Sequence, residues 1–201
     1  MGNREKLLAG ARRCLEEKGY LRTTVRDIAT ASGVSMAAIG YHFGSREALL
    51  NQALFAAMEE WGEEFGGAGG GFEELWAGKI RSFGEQRWLW LASVEAFVHA
   101  QSSPELLALL AAGQREGRRG TAAQLRGVPE EEVAEEDVRT LGSVHMALLS
   151  GVMIQWLTDP QAAPDARELA IGLRALAERI DPESIDAERI GPERIGPDTR
   201  R

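Results

Sequence analysis

Apolar positions recur along this chain at the three-to-four spacing of helices, and almost nowhere at the two-residue alternation of a half-buried strand. Leu8, Ala11 and Leu15 share one face of a first segment, and Gly19 stands where a helix-ending glycine belongs. Thr24, with Asp27 three residues on, has the form of a capping box ahead of Val25, Ile28 and Ala29, and Gly33 ends that short segment. Ser35 is placed to cap a third segment of about two turns through His42. After Gly44, Ser45 is placed to cap a longer fourth, in which Leu49, Leu50, Ala53, Leu54 and Ala57 recur. Further helices are predicted over about 72–84, 87–101, 104–125, 135–158 and 165–180. Ser103-Pro104-Glu105 is a helix start, and Gly127 to Pro129 and Asp159 to Pro164 supply breaks. The fold class is all-α, with an N-terminal three-helix unit ahead of a larger helical body.

Three regions follow from this pattern. Residues 1–47 form the helix-turn-helix unit and residues 48–180 the body, which is interrupted by the GGAGGG run at 66–71. Each glycine there costs a helix about 1 kcal/mol relative to alanine, so the run marks a joint. In residues 181–201 isoleucine recurs every five positions with Pro182, Pro192 and Pro197 close behind, a period no packed helix uses, and a low-complexity, disordered tail is expected.

Charge changes the picture of the first region. The chain carries −8 overall, yet residues 1–50 hold eight Lys/Arg against five acids, a net of +3, which leaves −11 for the rest. A basic head on an acidic body suits a partner that is a polyanion and meets only the head. The single cysteine, Cys14, excludes an internal disulfide, no unbroken apolar run approaches the roughly 18 residues of a membrane span, and the N-terminus lacks a signal-peptide core. A cytoplasmic location and no membrane partner are expected.

The segment TTVRDIATASGVSMAAIGYHF, residues 23–43, gives a capped helix, a glycine turn and a second short capped helix. That is the layout of a helix-turn-helix, whose second helix enters the major groove. A helix of about seven residues spans roughly 10 Å, against a groove about 12 Å wide. Ala37 and Ala38 are small enough to let the helix approach base edges, and Arg26 suits a bidentate guanine contact. Ser35 and Thr24 are placed to donate to phosphates from helix N-termini. Met36, Gly40 and Arg46 complete the candidate surface, whereas Ile39 and Phe43 are expected to hold the helix from inside.

The run GYLRTTVRDIATASGVSMAAIGYHFGSREALL, residues 19–50, resembles the TetR family of one-component transcriptional regulators. The resemblance rests on the glycine-aromatic ahead of the cap, the ATASGVS turn and the IGYHF segment, and it covers about the first 60 residues closely. It implies that Tyr41 and His42 reach phosphates, that the chain binds a palindromic double-stranded DNA operator as a homodimer, and that it represses until a small effector binds the body. One departure is Gly40, where many members carry an aromatic. No Arg, Asn, Gln or Lys lies between Ser35 and Phe43, so specificity is expected from Arg26, apolar contacts and DNA shape.

For the body, Trp61, Phe65, Trp76, Phe83, Trp88, Phe97 and Met153 are the candidate lining of an apolar effector site, with His99 and Gln155 as polar groups. The resemblance also implies a four-helix interface between subunits, with Leu141, Val144, Leu148, Val152, Leu169, Leu173 and Leu176 as its candidates. An architectural or activator protein without an effector is the alternative. Catalysis has no support in the motifs: His42, His99, His145 and Cys14 are far apart in sequence, with no metal-ligand spacing, and the GGAGGG run lacks a following GK[ST]. No cofactor and no metal are expected.

Overall fold

The computed structural model describes residues 2–66 and 71–180, so the tail at 181–201 lies outside the described residues. Ten α-helices follow in order: α1 (Asn3–Lys18), α2 (Val25–Ser32), α3 (Met36–Phe43), α4 (Arg46–Gly66), α5 (Phe72–Glu85), α6 (Arg87–Ala100), α7 (Pro104–Arg126), α8 (Glu135–Asp137), α9 (Ser143–Thr158) and α10 (Ala166–Ala177). A π-helical turn, Val138–Gly142, joins α8 to α9, so that Glu135–Thr158 runs as one helix of 24 residues. The expected α-helical class and helix starts and stops are found, and no strand occurs among the described residues.

The local chemistry behind the head is largely what the residues dictate. Thr24 Oγ1 accepts from the Asp27 amide while Asp27 Oδ2 accepts from the Thr24 amide, closing the capping box of α2. Gly33 ends α2 with φ 67° and ψ 23°, a left-handed conformation that a side chain resists, and so sets the turn into α3. Ser35 occupies the N-cap of α3 but makes no cap hydrogen bond, so its hydroxyl is exposed and unengaged. Leu7, Ala11, Cys14, Leu15, Ile28, Val34 and Ile39 are buried between α1, α2 and α3 and against Leu49 and Leu50 of α4. The Cys14 thiol is pushed up by that burial, as for a small core residue.

The same core runs on through α4 into the body, where α5, α6, α7 and α9 surround Trp61, Trp76, Phe83, Leu89 and Trp90. Gly142 lies so close to α7 that a Cβ there would stand 2.3 Å from the Arg118 carbonyl oxygen. An 18-residue window of Glu135–Thr158 has mean hydropathy 1.3 and so passes a test of length and composition for a membrane span, a test that core helices of other proteins also pass. Only 28% of that window is buried, so most of its surface awaits an explanation.

Candidate nucleic-acid interface

The third helix sorts its residues cleanly by helical phase. Ile39 is buried, Ala38, His42 and Phe43 are half-buried, and Met36, Ala37, Gly40 and Tyr41 form the outward stripe at i, i+1, i+4 and i+5. Tyr41 is 85% exposed and Met36 53%. With Ala37 and Gly40 they make one outward face of small and apolar residues. The Tyr41 ring meets His42 edge-on at 4.9 Å, and Arg4 lies over Phe43 at 5.4 Å, steadying the inner side of the helix.

The basic residues of the head divide into two groups. Arg13 donates to the Ala31 carbonyl, Arg22 to the Lys18 carbonyl and Arg46 to the Thr23 carbonyl. Arg12 pairs with Glu16 and Glu60, Lys18 with Asp27, and Arg4 donates to Gln52. Among the eight, the side chains of Lys6 and Arg26 make no hydrogen bond or ion pair with any described residue. Arg26 sits exposed on the first turn of α2. Arg46 also pairs with Glu47 at 2.9 Å, and the Thr24 hydroxyl donates to Asp27 Oδ2 at 2.7 Å, so both are engaged inside the head. Lys18 and Thr24 together hold the Asp27 carboxyl well below the usual carboxylate range.

The head is gripped from the body by α6. Glu95 Oε2 accepts from the Tyr20 amide at 2.6 Å and the Leu21 amide at 3.0 Å, in the loop between α1 and α2. Tyr20 is fully buried, donates to Asn51 Oδ1 at 2.7 Å and has its phenol pushed up to about 12 by that burial. One turn earlier α6 carries Trp90, set edge-on to both Trp61 (4.8 Å) and Phe83 (5.1 Å) in the body core. A single helix thus touches the aromatic core with one end and the head with the other.

Two family models match the chain. One, described as bacterial regulatory proteins, tetR family, covers residues 7–53, and the other, described as a tetracyclin repressor-like C-terminal domain, covers residues 70–179. The chain belongs to the tetR family of bacterial regulatory proteins. That is a family of transcriptional regulators, as the resemblance of residues 19–50 implied. Curated relatives match in the head of this tetR-family chain. It is 49% identical over 48 residues to the HTH-type transcriptional repressor AcnR of Corynebacterium glutamicum, covering 24% of this chain and 26% of that one. It is 36% identical over 59 residues to the HTH-type transcriptional repressor KstR2 of Rhodococcus jostii, covering 29% of each. The match therefore spans under a third of the curated relatives' length. Among solved structures, a transcriptional regulator from Rhodococcus sp. Rha1 superposes with a TM-score of 0.65 at 19% identity, covering 87% of this chain and 96% of that one. The multidrug binding protein EbrR, complexed with proflavin, gives 0.65 at 21% identity, covering 87% and 99%. At these identities the likeness establishes the fold.

The body residues singled out from sequence fall into different places. Trp61, Trp76, Phe83 and Met153 are buried together and Phe65 is half-buried beside them. Trp88 is half-buried at the margin of the same core, under Arg12 at 5.8 Å, whereas Phe97 is 59% exposed and lies outside it. His99 sits against Tyr20 at 5.9 Å and Gln155 is exposed. The polar groups inside the cluster are instead Lys79, Ser82 and His145. Their signal was present in the sequence: Lys79 and Ser82 continue the stripe of Leu75, Trp76 and Phe83 on α5, where a lysine is out of place. Val152 and Leu169, expected between subunits, are buried within the protomer, on the faces of α9 and α10 that pack into the body. Val144, Ala147, Gly151 and Ile154 of α9, and Ile171 and Leu176 of α10, are exposed, with Leu141, Leu148 and Leu173 half-buried at the edge of that face.

Proposed function

We propose that the chain is a dimeric DNA-binding repressor, released from a palindromic operator when a small molecule enters the body. Tyr41 carries this reading: a two-turn helix that follows a glycine turn and displays an 85% exposed aromatic beside small residues suits a surface seated on DNA. Tyr41, His42 and the free Ser35 hydroxyl contact phosphates, Arg26 reaches a base edge, and Ala37 and Gly40 allow close approach. Thr24 and Arg46 hold the angle between α2 and α3. The names of the curated relatives support repression, and the EbrR complex with proflavin supports a ligand in the body of this fold.

Dimerisation explains the apolar outer faces of α9 and α10. Val144 and Ile154 on α9 and Ile171 on α10 are exposed apolar side chains on two helices that both pack against α5, and a twofold interface would cover them. Two heads related by that axis meet successive major grooves about 34–36 Å apart. Release then follows from α6: a ligand that moves Trp90 moves Glu95, and with it the loop carrying α2 and α3. Only a ligand that binds the misaligned form more tightly can shift the balance.

Selection from random duplexes, followed by affinity measurement across a salt series, tests this. Wild type is expected to select a palindrome and to lose affinity steeply with salt, whereas Tyr41→Ala loses about tenfold, roughly 1.4 kcal/mol, at fixed salt. Recovery of no enriched sequence would overturn the reading.

A further inference from the structure

Lys79 is 5% exposed in the body core, its ammonium 4.7 Å from the centroid of Trp61 and 5.5 Å from that of Phe65. No ion pair joins it to any carboxylate among the described residues, and desolvation pushes its pKa down to about 8. His145, 4% exposed, stacks on Trp76 at 5.0 Å, and the Lys79 charge adds to burial in pushing its pKa down to about 4. His145 Nε2 and Trp76 Nε1 are both buried with no hydrogen-bond partner. A protein interior tolerates a lone cation or an orphaned donor poorly, and here three such groups share one cluster.

Their chemistry specifies what would complete them. The ammonium and the indole N–H only donate, and an imidazole nitrogen can donate, so the complement is a group that only accepts and carries negative charge. Trp61, Phe65 and Phe83 supply an apolar surround for whatever bears that group. We propose that Lys79, Trp76 and His145 anchor the effector, and that the effector is an organic carboxylate with a flat apolar body. This deepens the reading of the body as an effector site and rests on it. The anchor is also wired to α6. Ser82 Oγ donates to the Lys79 carbonyl at 2.6 Å and accepts from Trp61 Nε1 at 2.9 Å, while the Ser82 carbonyl accepts from Trp90 Nε1 at 3.3 Å. These bonds tie the α5 backbone at Lys79 and Ser82 to Trp61 and to Trp90 of α6, the helix that holds the head through Glu95.

The test uses calorimetry on the full chain with no DNA present, and 2-naphthoate, 2-naphthamide and 2-naphthylmethylammonium as probes, with benzoate and octanoate as smaller and aliphatic carboxylates. Wild type is expected to bind a carboxylate at least about tenfold more tightly than the amide and to exclude the ammonium. Lys79→Met, which removes a buried charge and keeps the volume, is expected to abolish that preference, and His145→Phe to weaken it. A preference for the amide or the ammonium, a carboxylate preference that survives in Lys79→Met, or no saturable binding by any carboxylate at millimolar concentration would each overturn the proposal. A separate measurement of operator affinity with and without 2-naphthoate tests the coupling: carboxylate binding that leaves DNA affinity unchanged would uphold the anchor and overturn the coupling to the operator, so the two failures are separable.

Discussion

Lys79 sits 5% exposed in the body core with no carboxylate paired to it among the described residues. Its charged form is disfavoured by burial alone, with its pKa pushed from an ordinary 10.5 to about 8. Between those values the unfolded chain holds more protons than the folded one, so stability rises with pH across that window and the cost is fully present below it. The expected rise is about 3 kcal/mol at most, since each unit is worth about 1.4 kcal/mol. Urea unfolding at fixed protein concentration from pH 7.5 to 10.5 should show that rise in wild type and a flat profile in Lys79→Met. The variant should also be more stable near neutrality by about 1–4 kcal/mol. His145, pushed down to about 4, gives the opposite edge: stability falls as pH drops from 6.5 toward 4, and less so in Lys79→Met, where the neighbouring charge is gone. A wild-type profile flat above pH 8 would show that the ammonium is solvated and would remove the reason to seek a partner for it.

At the scale of elements, close approach and exposure separate glycines that look alike in sequence. At Gly142 an added methyl meets the backbone of Arg118, which cannot move without shifting α7, whereas at Gly62 on α4 it meets nothing within 4 Å. Gly142→Ala is expected to destabilise by about 1–3 kcal/mol, and Gly62→Ala to stabilise by about 0.5–1 kcal/mol, both read from thermal or denaturant unfolding. Helix limits themselves were legible because caps and breaks are local: Thr24 with Asp27, Ser103 with Pro104, and Gly127 with φ 69° act through neighbouring atoms. The π turn at Val138–Gly142 was not legible, since it answers to the fit of Gly142 against α7.

For the whole molecule, the unexplained surface lies on α9 and α10. Val144 is 57% exposed on α9 and Ile171 60% on α10, two helices that each pack against α5. Val144→Glu with Ile171→Glu is expected to convert a dimer to a monomer by light scattering, with little loss of helix content. Operator affinity should fall well beyond tenfold, because two heads held in register bind as one unit. A dimer that persists in the double variant would place the interface elsewhere and take away the account of the exposed apolar faces.

The sequence by itself determined what depends on near neighbours: the all-helical class, the caps and turns of the head, the burial of Ile39 and the outward placement of Tyr41. Helical phase and capping chemistry are set within four residues, so they can be read before any packing is known. The tertiary structure alone decided which polar groups matter. Arg13, Arg22 and Arg46 are spent on backbone carbonyls while Arg26 stays free, and Lys79 and His145, 66 positions apart, meet in one aromatic core. Those outcomes depend on which helices pack together, and burial acts on a charge through every neighbour at once, not through its place in the chain.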